Sequence, residues 1–201
     1  PKWLLDRWKK NWPNDYLNFI KCIQDIHPHI DIAVKNNVSK WQKELNAELM
    51  PNNVLRLSES GLISDKKGYD TGEWWVQDYS SQLPVKCLTI GQDDEILDLC
   101  AAPGGKTAQM LALGAKVHSI DLSDKRIIRF KENMRRLKFN PVIDNADILT
   151  YKTEKKWQKI LLDVPCSSTG TIRKNPDILY SKNEKSVSNL VNLQTLSLIH
   201  I

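Results

Sequence analysis

From Glu95 onward, short apolar runs alternate with amphipathic stretches at a spacing that few folds accommodate. Ile96-Leu97-Asp98-Leu99, Lys116 to Ile120, Val142-Ile143 and Lys159 to Val164 read as strands, and Gly104 to Leu113 and Ser123 to Leu137 as helices. Strands separated by helix-length segments predict a parallel sheet with covering helices, because parallel neighbours need a long crossover that is usually a helix. The second helix carries its own boundaries. Ser123 is placed to cap it, Asp124 lies in its first turn, basic residues gather towards its end, and Asn140-Pro141 stops it.

Upstream the texture is different, rich in Trp, Asn and Lys, and the change falls near residues 70 to 92. Trp3, Leu4, Leu5, Trp8 and Trp12, then Tyr16, Leu17, Phe19, Ile20 and Ile23, suit two short amphipathic helices broken at Pro13 and closed by His27-Pro28. Ile30 to Val34 is β-branched enough for a strand, and Ser39 to Met50 reads as a helix with Ser39 as N-cap. The 201 residues thus divide into a small α/β module over 1–70 and a larger domain over 71–201. The start at Pro1-Lys2-Trp3 and the uncapped apolar end from Leu193 to Ile201 suggest an excerpt of a longer protein.

Composition narrows the partners. Lys and Arg number 29 against 24 Asp and Glu, a formal charge of +5, and the pI near 9.0 favours a polyanion. The four cysteines, Cys22, Cys87, Cys100 and Cys166, show no CxxC spacing and no interleaved histidines. Neither a zinc site nor a disulfide framework is expected, and reduced thiols fit a cytoplasmic protein. No apolar run approaches a membrane span.

The segment Asp98-Leu99-Cys100-Ala101-Ala102-Pro103-Gly104-Gly105-Lys106-Thr107 is a strand running into a small-residue turn that opens a helix. Small residues let a ligand approach the backbone, and a helix start offers unpaired N–H groups. A nucleotide-like ligand belongs here. Gly105-Lys106-Thr107 resembles the end of a phosphate-binding loop, but the glycine that motif needs five residues earlier is Cys100. The GxGxxG fingerprint is absent too, although the acid expected on the next strand is present as Asp121, suited to ribose hydroxyls. Asp147 and Asp163 follow, so with Asp98 four carboxylates fall at the carboxyl ends of successive strands, the edge where open α/β sheets bind ligands. Any one of them alone is better read as a cap or turn residue; their register with the glycine turn makes them a site.

Together with Asp163-Val164-Pro165-Cys166-Ser167-Ser168-Thr169-Gly170, this segment resembles the NOL1/NOP2/sun family of RNA cytosine-5 methyltransferases. Trp3-Leu4-Leu5, Val76-Gln77-Asp78 and Ile172-Arg173-Lys174-Asn175-Pro176-Asp177 extend the likeness over nearly the whole chain, towards the bacterial branch that modifies 16S ribosomal RNA. The resemblance implies a Rossmann-like class I fold, incomplete at its carboxyl end, that binds S-adenosyl-L-methionine. Its cofactor residues fall on Cys100, Ala101, Ala102, Pro103, Gly104, Gly105 and Lys106, with Asp121 as ribose acid, Asp147 as adenine-side acid and Asp163 as fourth-strand acid. The first stretch would be the tail of an RNA-binding portion. RNA is the implied partner, with no metal and no membrane, and a monomer is expected.

The chemistry needs a thiolate to add at C6 before C5 can take the methyl. By resemblance that nucleophile lies in a later Thr-Cys-Ser segment, while Cys166 assists product release and Asp163 beside it belongs to the catalytic set. No Thr-Cys-Ser occurs here and no cysteine follows Cys166, so the chain is expected to bind cofactor weakly or not at all and not to turn over. For Cys166 itself the plain reading is a buried small hydrophobe, and Cys22 and Cys87 are assigned to packing. Arg173-Lys174, just after the cysteine motif, is expected to contact phosphate. Basic residues from Lys125 to Lys138 read equally as a solvated helix face, and Trp74-Trp75 as a stacking surface or as cover for a sheet edge. Three other readings compete. One is a non-catalytic RNA- or nucleotide-binding module, which has no use for the Pro-Cys motif. The second is a DNA cytosine-5 methyltransferase. The third is a dinucleotide oxidoreductase, which lacks its glycine.

Overall fold

The computed structural model describes residues 1–24, 29–58 and 61–200. The chain forms two compact units, one of residues 1–28 with 164–201 and one of residues 29–163. The expected closure at His27-Pro28 lies outside the described residues.

In the larger unit the parallel sheet appears as the alternation requires. Strands β5 (Glu95–Leu99), β6 (Lys116–Asp121), β7 (Val142–Asn145) and β8 (Lys159–Leu162) stand in the order β7-β6-β5-β8, every pair parallel. Helices α5 (Gly105–Ala112) and α6 (Asp124–Arg136) make the crossovers, and Ser123 caps α6 by accepting the Arg126 N–H. Alternation along the strands feeds two faces. Ile96, Val117 and Leu161 pack with Met110 of α5, and Leu97, Leu99 and Ile120 pack on the other face against Trp157, Ile160 and Leu162. The chain runs outward from β5 to β6 and β7, then returns to the other side of β5 as β8. The strand order therefore reverses between β5 and β8, and such a switch point opens a crevice at the carboxyl ends of the strands.

The same unit holds a four-stranded antiparallel sheet, β2-β3-β1-β4, built from β1 (Ile30–Val34), β2 (Ala47–Met50), β3 (Val54–Leu57) and β4 (Trp74–Val76). Here the structure corrects the reading of Ser39 to Met50. The helix is α3 (Val38–Glu44), capped by Asn37 rather than Ser39, and Ala47 to Met50 is a strand. Asn46 at φ 46° turns the chain after α3, and pairing with β3 outweighs the helical preference of Ala-Glu-Leu-Met. The sheet also reaches past residue 70 for β4. Helix α4 (Tyr79–Lys86), capped by Asp78, follows it.

In the smaller unit α1 (Lys2–Asn11) and α2 (Tyr16–Ile23) form the expected pair around Pro13, with Trp8 and Trp12 edge-on to Phe19. Leu4 packs with Ile172 and Ile178, the latter on the short α7 (Ile178–Ser181). Helix α8 (Glu184–Ile199) begins with a capping box between Asn183 and Ser186.

Candidate active site

The turn after β5 is built by backbone conformations that ordinary residues avoid. Cys100 sits at φ 63° and Gly104 at φ 100°, and a Cβ on Gly104 would lie 2.7 Å from Met134 Cε and 2.9 Å from Phe130 Cδ2. Only glycine satisfies both limits at position 104. Two carboxylates hold the turn from beneath. Asp98, 1% exposed, accepts the Thr107 hydroxyl at 2.5 Å and ties the end of β5 to α5. Asp121, 2% exposed, accepts the N–H of Ala102 and that of Ser123, each at 3.0 Å, and has Arg126 at 3.4 Å.

Above this base a cleft of about 220 Å³ opens at the switch point. Cys100, Ala101, Ala102, Pro103, Gly105, Lys106 and Asp163 line it, together with Asp98. Lys106 Nζ donates to Asp163 Oδ2 at 2.6 Å, so a cation from α5 and an anion from the end of β8 meet there. The remaining wall comes from Val76, Gln77, Asp78 and Ser81. Gln77 is buried and accepts the Trp75 indole N–H at 2.7 Å, while its amide donates to Gln109 and to the Ser81 carbonyl, each at 3.1 Å. That network fixes α5 against β4. Sequence reasoning missed Gln77 as part of the site, because a buried glutamine carries no spacing signal; the Val-Gln-Asp likeness was the available hint.

Not every expected residue lines the cleft. Gly104 faces α6, Asp121 lies under the turn, and Asp147 closes a local turn by accepting the Leu149 N–H at 2.9 Å. The environment separates the titrating groups. Burial raises the Asp98 carboxyl to about 7, and burial, reinforced by Asp121, raises the Cys100 thiol to about 11. Cys100 therefore holds its proton at neutral pH, which lowers its reactivity.

In the other unit Cys166 is exposed, not a buried hydrophobe, and its Sγ accepts the Ser168 N–H at 3.4 Å. Arg173 is half-buried and Lys174 exposed. Cys22 and Cys87 are exposed as well, which corrects their assignment to packing; Cys22 lies on the outer side of α2 and Cys87 at the end of α4. Trp74 and Trp75 are buried, with their indole N–H groups given to Lys67 O and Gln77, so neither is a stacking surface for RNA. Among the described residues no cluster suits a metal ion, and no helix is long and apolar enough to cross a membrane.

Comparison with known proteins agrees with this geometry. The protein family described as "16S rRNA methyltransferase RsmB/F" matches residues 85–201. "Ribosomal RNA small subunit methyltransferase B" of Erwinia tasmaniensis is 34% identical over 96% of the chain and 48% of its own length, and that of Yersinia enterocolitica 32% identical over 97% and 49%. The chain thus spans about half the length of the curated relatives it matches. Among solved structures PH0851 superposes with a TM-score of 0.91 at 26% identity, covering 100% of this chain and 49% of that one. NSun6 from Pyrococcus horikoshii, solved with SFG, gives 0.85 at 19%, covering 100% and 79%, a likeness of fold. A switch-point cleft walled by the Cys100 to Lys106 turn, in a sheet of the class I methyltransferase kind, and a family match over the same residues place this chain in the 16S rRNA methyltransferase RsmB/F family.

Proposed function

We propose that the chain is the cofactor-binding part of an enzyme that transfers a methyl group from S-adenosyl-L-methionine to C5 of a cytosine in RNA, with small-subunit (16S) ribosomal RNA as the substrate. The observation that carries this is the Lys106–Asp163 pair in the switch-point cleft. The amino-acid end of S-adenosyl-L-methionine presents a carboxylate and an ammonium, so a fixed cation and anion on one wall match it charge for charge. When bound, the cofactor supplies an electrophilic methyl on a sulfonium. Lys106 would hold its carboxylate, Asp163 its ammonium, and the backbone from Cys100 to Gly105 its closely approaching body. Asp121 and Asp147 are assigned to the ribose and adenine sides; each carboxylate oxygen has more than one lone pair, so Asp121 retains acceptor capacity beyond its backbone bonds.

The relatives named as small-subunit ribosomal RNA methyltransferases support RNA as the substrate. Cytosine C5 is a poor nucleophile, so a thiolate must add at C6, and after transfer a base must take the C5 proton before the thiolate leaves. Burial, which raises the Cys100 thiol, makes it poorly suited to that task. On this reading Cys166 assists release, Asp163 serves the reacting centre as well as the cofactor, and Arg173 and Lys174 contact phosphates of a flipped-out or single-stranded target. The reading also takes residues 1–70 as the RNA-binding module and 71–201 as the methyltransferase domain of a cytoplasmic, monomeric enzyme. Residues 1–201 contain no Thr-Cys-Ser segment and are proposed not to turn over by themselves.

RNA tritiated at cytosine C5 tests the assignment. Tritium release is expected from a chain that also supplies the Thr-Cys-Ser strand, and none from residues 1–201. Methyl incorporation without tritium release would assign another atom, and steady release by residues 1–201 would make Cys166 the nucleophile. Preference for DNA in direct competition would replace the RNA reading.

A further inference from the structure

The basic residues of α6 do not share one task. Arg126 donates to the Ala102 carbonyl and lies 3.4 Å from Asp121, and Arg136 donates to the carbonyls of Tyr69 at 2.7 Å and Trp74 at 3.1 Å while stacking on the Tyr69 ring. Both are structural. Lys131, Arg135 and Lys138 are exposed and hold no side-chain partner among the described residues. They rim a groove of about 480 Å³ whose accessible apolar floor is the half-buried Phe139 and Ile143, while Phe130 and Met134 belong to the buried core. None of the residues lining it is acidic; the carboxylates adjacent in sequence are Glu132, beside Lys131, and Asp144, beside Ile143 and bonded to His118.

We propose that this groove is a second RNA-binding site, which takes one nucleotide of a single strand with its base on the apolar floor and its flanking phosphates on Lys131, Arg135 and Lys138. Size, charge and place support it. The volume lies in the range of nucleotide-sized pockets. An aromatic and aliphatic floor beneath a cationic rim is the arrangement by which single strands are held without sequence preference. Lys35 stands 4.6 Å from the Phe139 ring centre and donates to the Leu137 carbonyl, which holds that ring in place. Pro141 and Ile143 put the groove at the amino end of β7, whereas the cofactor cleft lies at the carboxyl ends of β5 and β8. The site therefore anchors RNA away from the reacting base. A duplex is disfavoured, because its stacked bases cannot reach an apolar floor.

The inference rests on RNA being the substrate and is tested by titrating an oligouridylate of about 12 nucleotides at several salt concentrations. Lys131→Gln, Arg135→Gln and Lys138→Gln are combined in one variant and compared with a charge-matched control in which the exposed Lys152, Lys156 and Lys185, none of them lining the groove, become Gln. Three lost phosphate contacts to a single strand lower the slope of log affinity against log salt by about 2. That change in the groove variant, with an unaltered melting midpoint and S-adenosylhomocysteine affinity, supports the site. Equal slopes for the unaltered chain and the groove variant, or equal losses in variant and control, overturn the groove and leave the RNA reading standing. Absence of any binding by the unaltered chain overturns both. Should the triple variant melt early, Phe139→Leu, which keeps the floor apolar but removes the ring, is expected to weaken binding several-fold, and no change would overturn the proposal.

Discussion

Lys106 Nζ lies 2.6 Å from Asp163 Oδ2, joining the first turn of α5 to the residue that follows β8 across the point where the strand order reverses. Asp163 is 55% exposed, so the pair contributes little to folding, within about 1 kcal/mol. Its value lies in presenting both charges to the cleft. Lys106→Met is expected to leave the melting midpoint nearly unchanged and to weaken S-adenosylhomocysteine by about 10-fold to 100-fold, the worth of one charge-assisted hydrogen bond. Isothermal titration checks it; unchanged affinity would remove Lys106 from the site.

Asp98 makes stability pH-dependent in an uncommon direction. Its carboxyl titrates at about 7 in the fold, against 3.8 ordinarily, because burial disfavours the charge. Between those values the folded chain holds a proton that the unfolded chain has lost, so stability falls as pH rises through that window, by roughly 4 kcal/mol in all. Above about 7 both states are ionised and the slope ends. Asp98→Asn keeps an acceptor for Thr107 and removes this term. Its melting midpoint should exceed that of the unaltered chain at pH 8 and not at pH 4, in scans across pH.

The thiols are ranked by their surroundings. Cys166, Cys22 and Cys87 are exposed, whereas Cys100 is half-buried with its thiol raised to about 11. Iodoacetamide at pH 7.5 is expected to modify Cys100 last, by at least about 10-fold in rate, since only the thiolate reacts. Peptide mapping over time reads this directly. Early alkylation of Cys100 would mean that its surroundings do not hold the proton.

Gly104 combines a left-handed backbone with contact to Met134 and Phe130. Gly104→Ala is therefore expected to cost about 3 kcal/mol, from backbone strain and overpacking together. Chemical denaturation measures it, and a cost below about 1 kcal/mol would show that the turn relaxes.

The parallel sheet was legible because each strand is a short apolar run closed by a turn, and the range Ser123 to Leu137 matches α6 to within a residue at each end, although the chain leaves the helix at Lys138 (φ 56°), before Asn140-Pro141. The antiparallel sheet was less so. Ala47 to Met50 has helical residue preferences, and its pairing with Val54 to Leu57 is a tertiary fact. In the site, the turn and Asp163 carried recognisable spacing, but nothing in sequence told Asp121 and Asp147, which satisfy backbone N–H groups, from Asp163, which faces the cleft. Hydrogen bonds to backbone carbonyls likewise separate Arg126 and Arg136 from the other cations of the same helix.

The central claim is that the cleft walled by Cys100 to Lys106 and Asp163 binds the methyl donor, and every residue lining it belongs to the compact unit of residues 29–163. Thermal unfolding of the chain with and without S-adenosylhomocysteine tests this most directly, because a ligand that binds only the folded state raises the midpoint. At ligand about 100 times its dissociation constant the gain is about 2.7 kcal/mol, which moves a domain of this size by roughly 5–10 °C. The account predicts such a rise for the unaltered chain, absent with NAD and reduced in Lys106→Met. An unmoved midpoint at millimolar S-adenosylhomocysteine, or an equal rise in Lys106→Met, would contradict it.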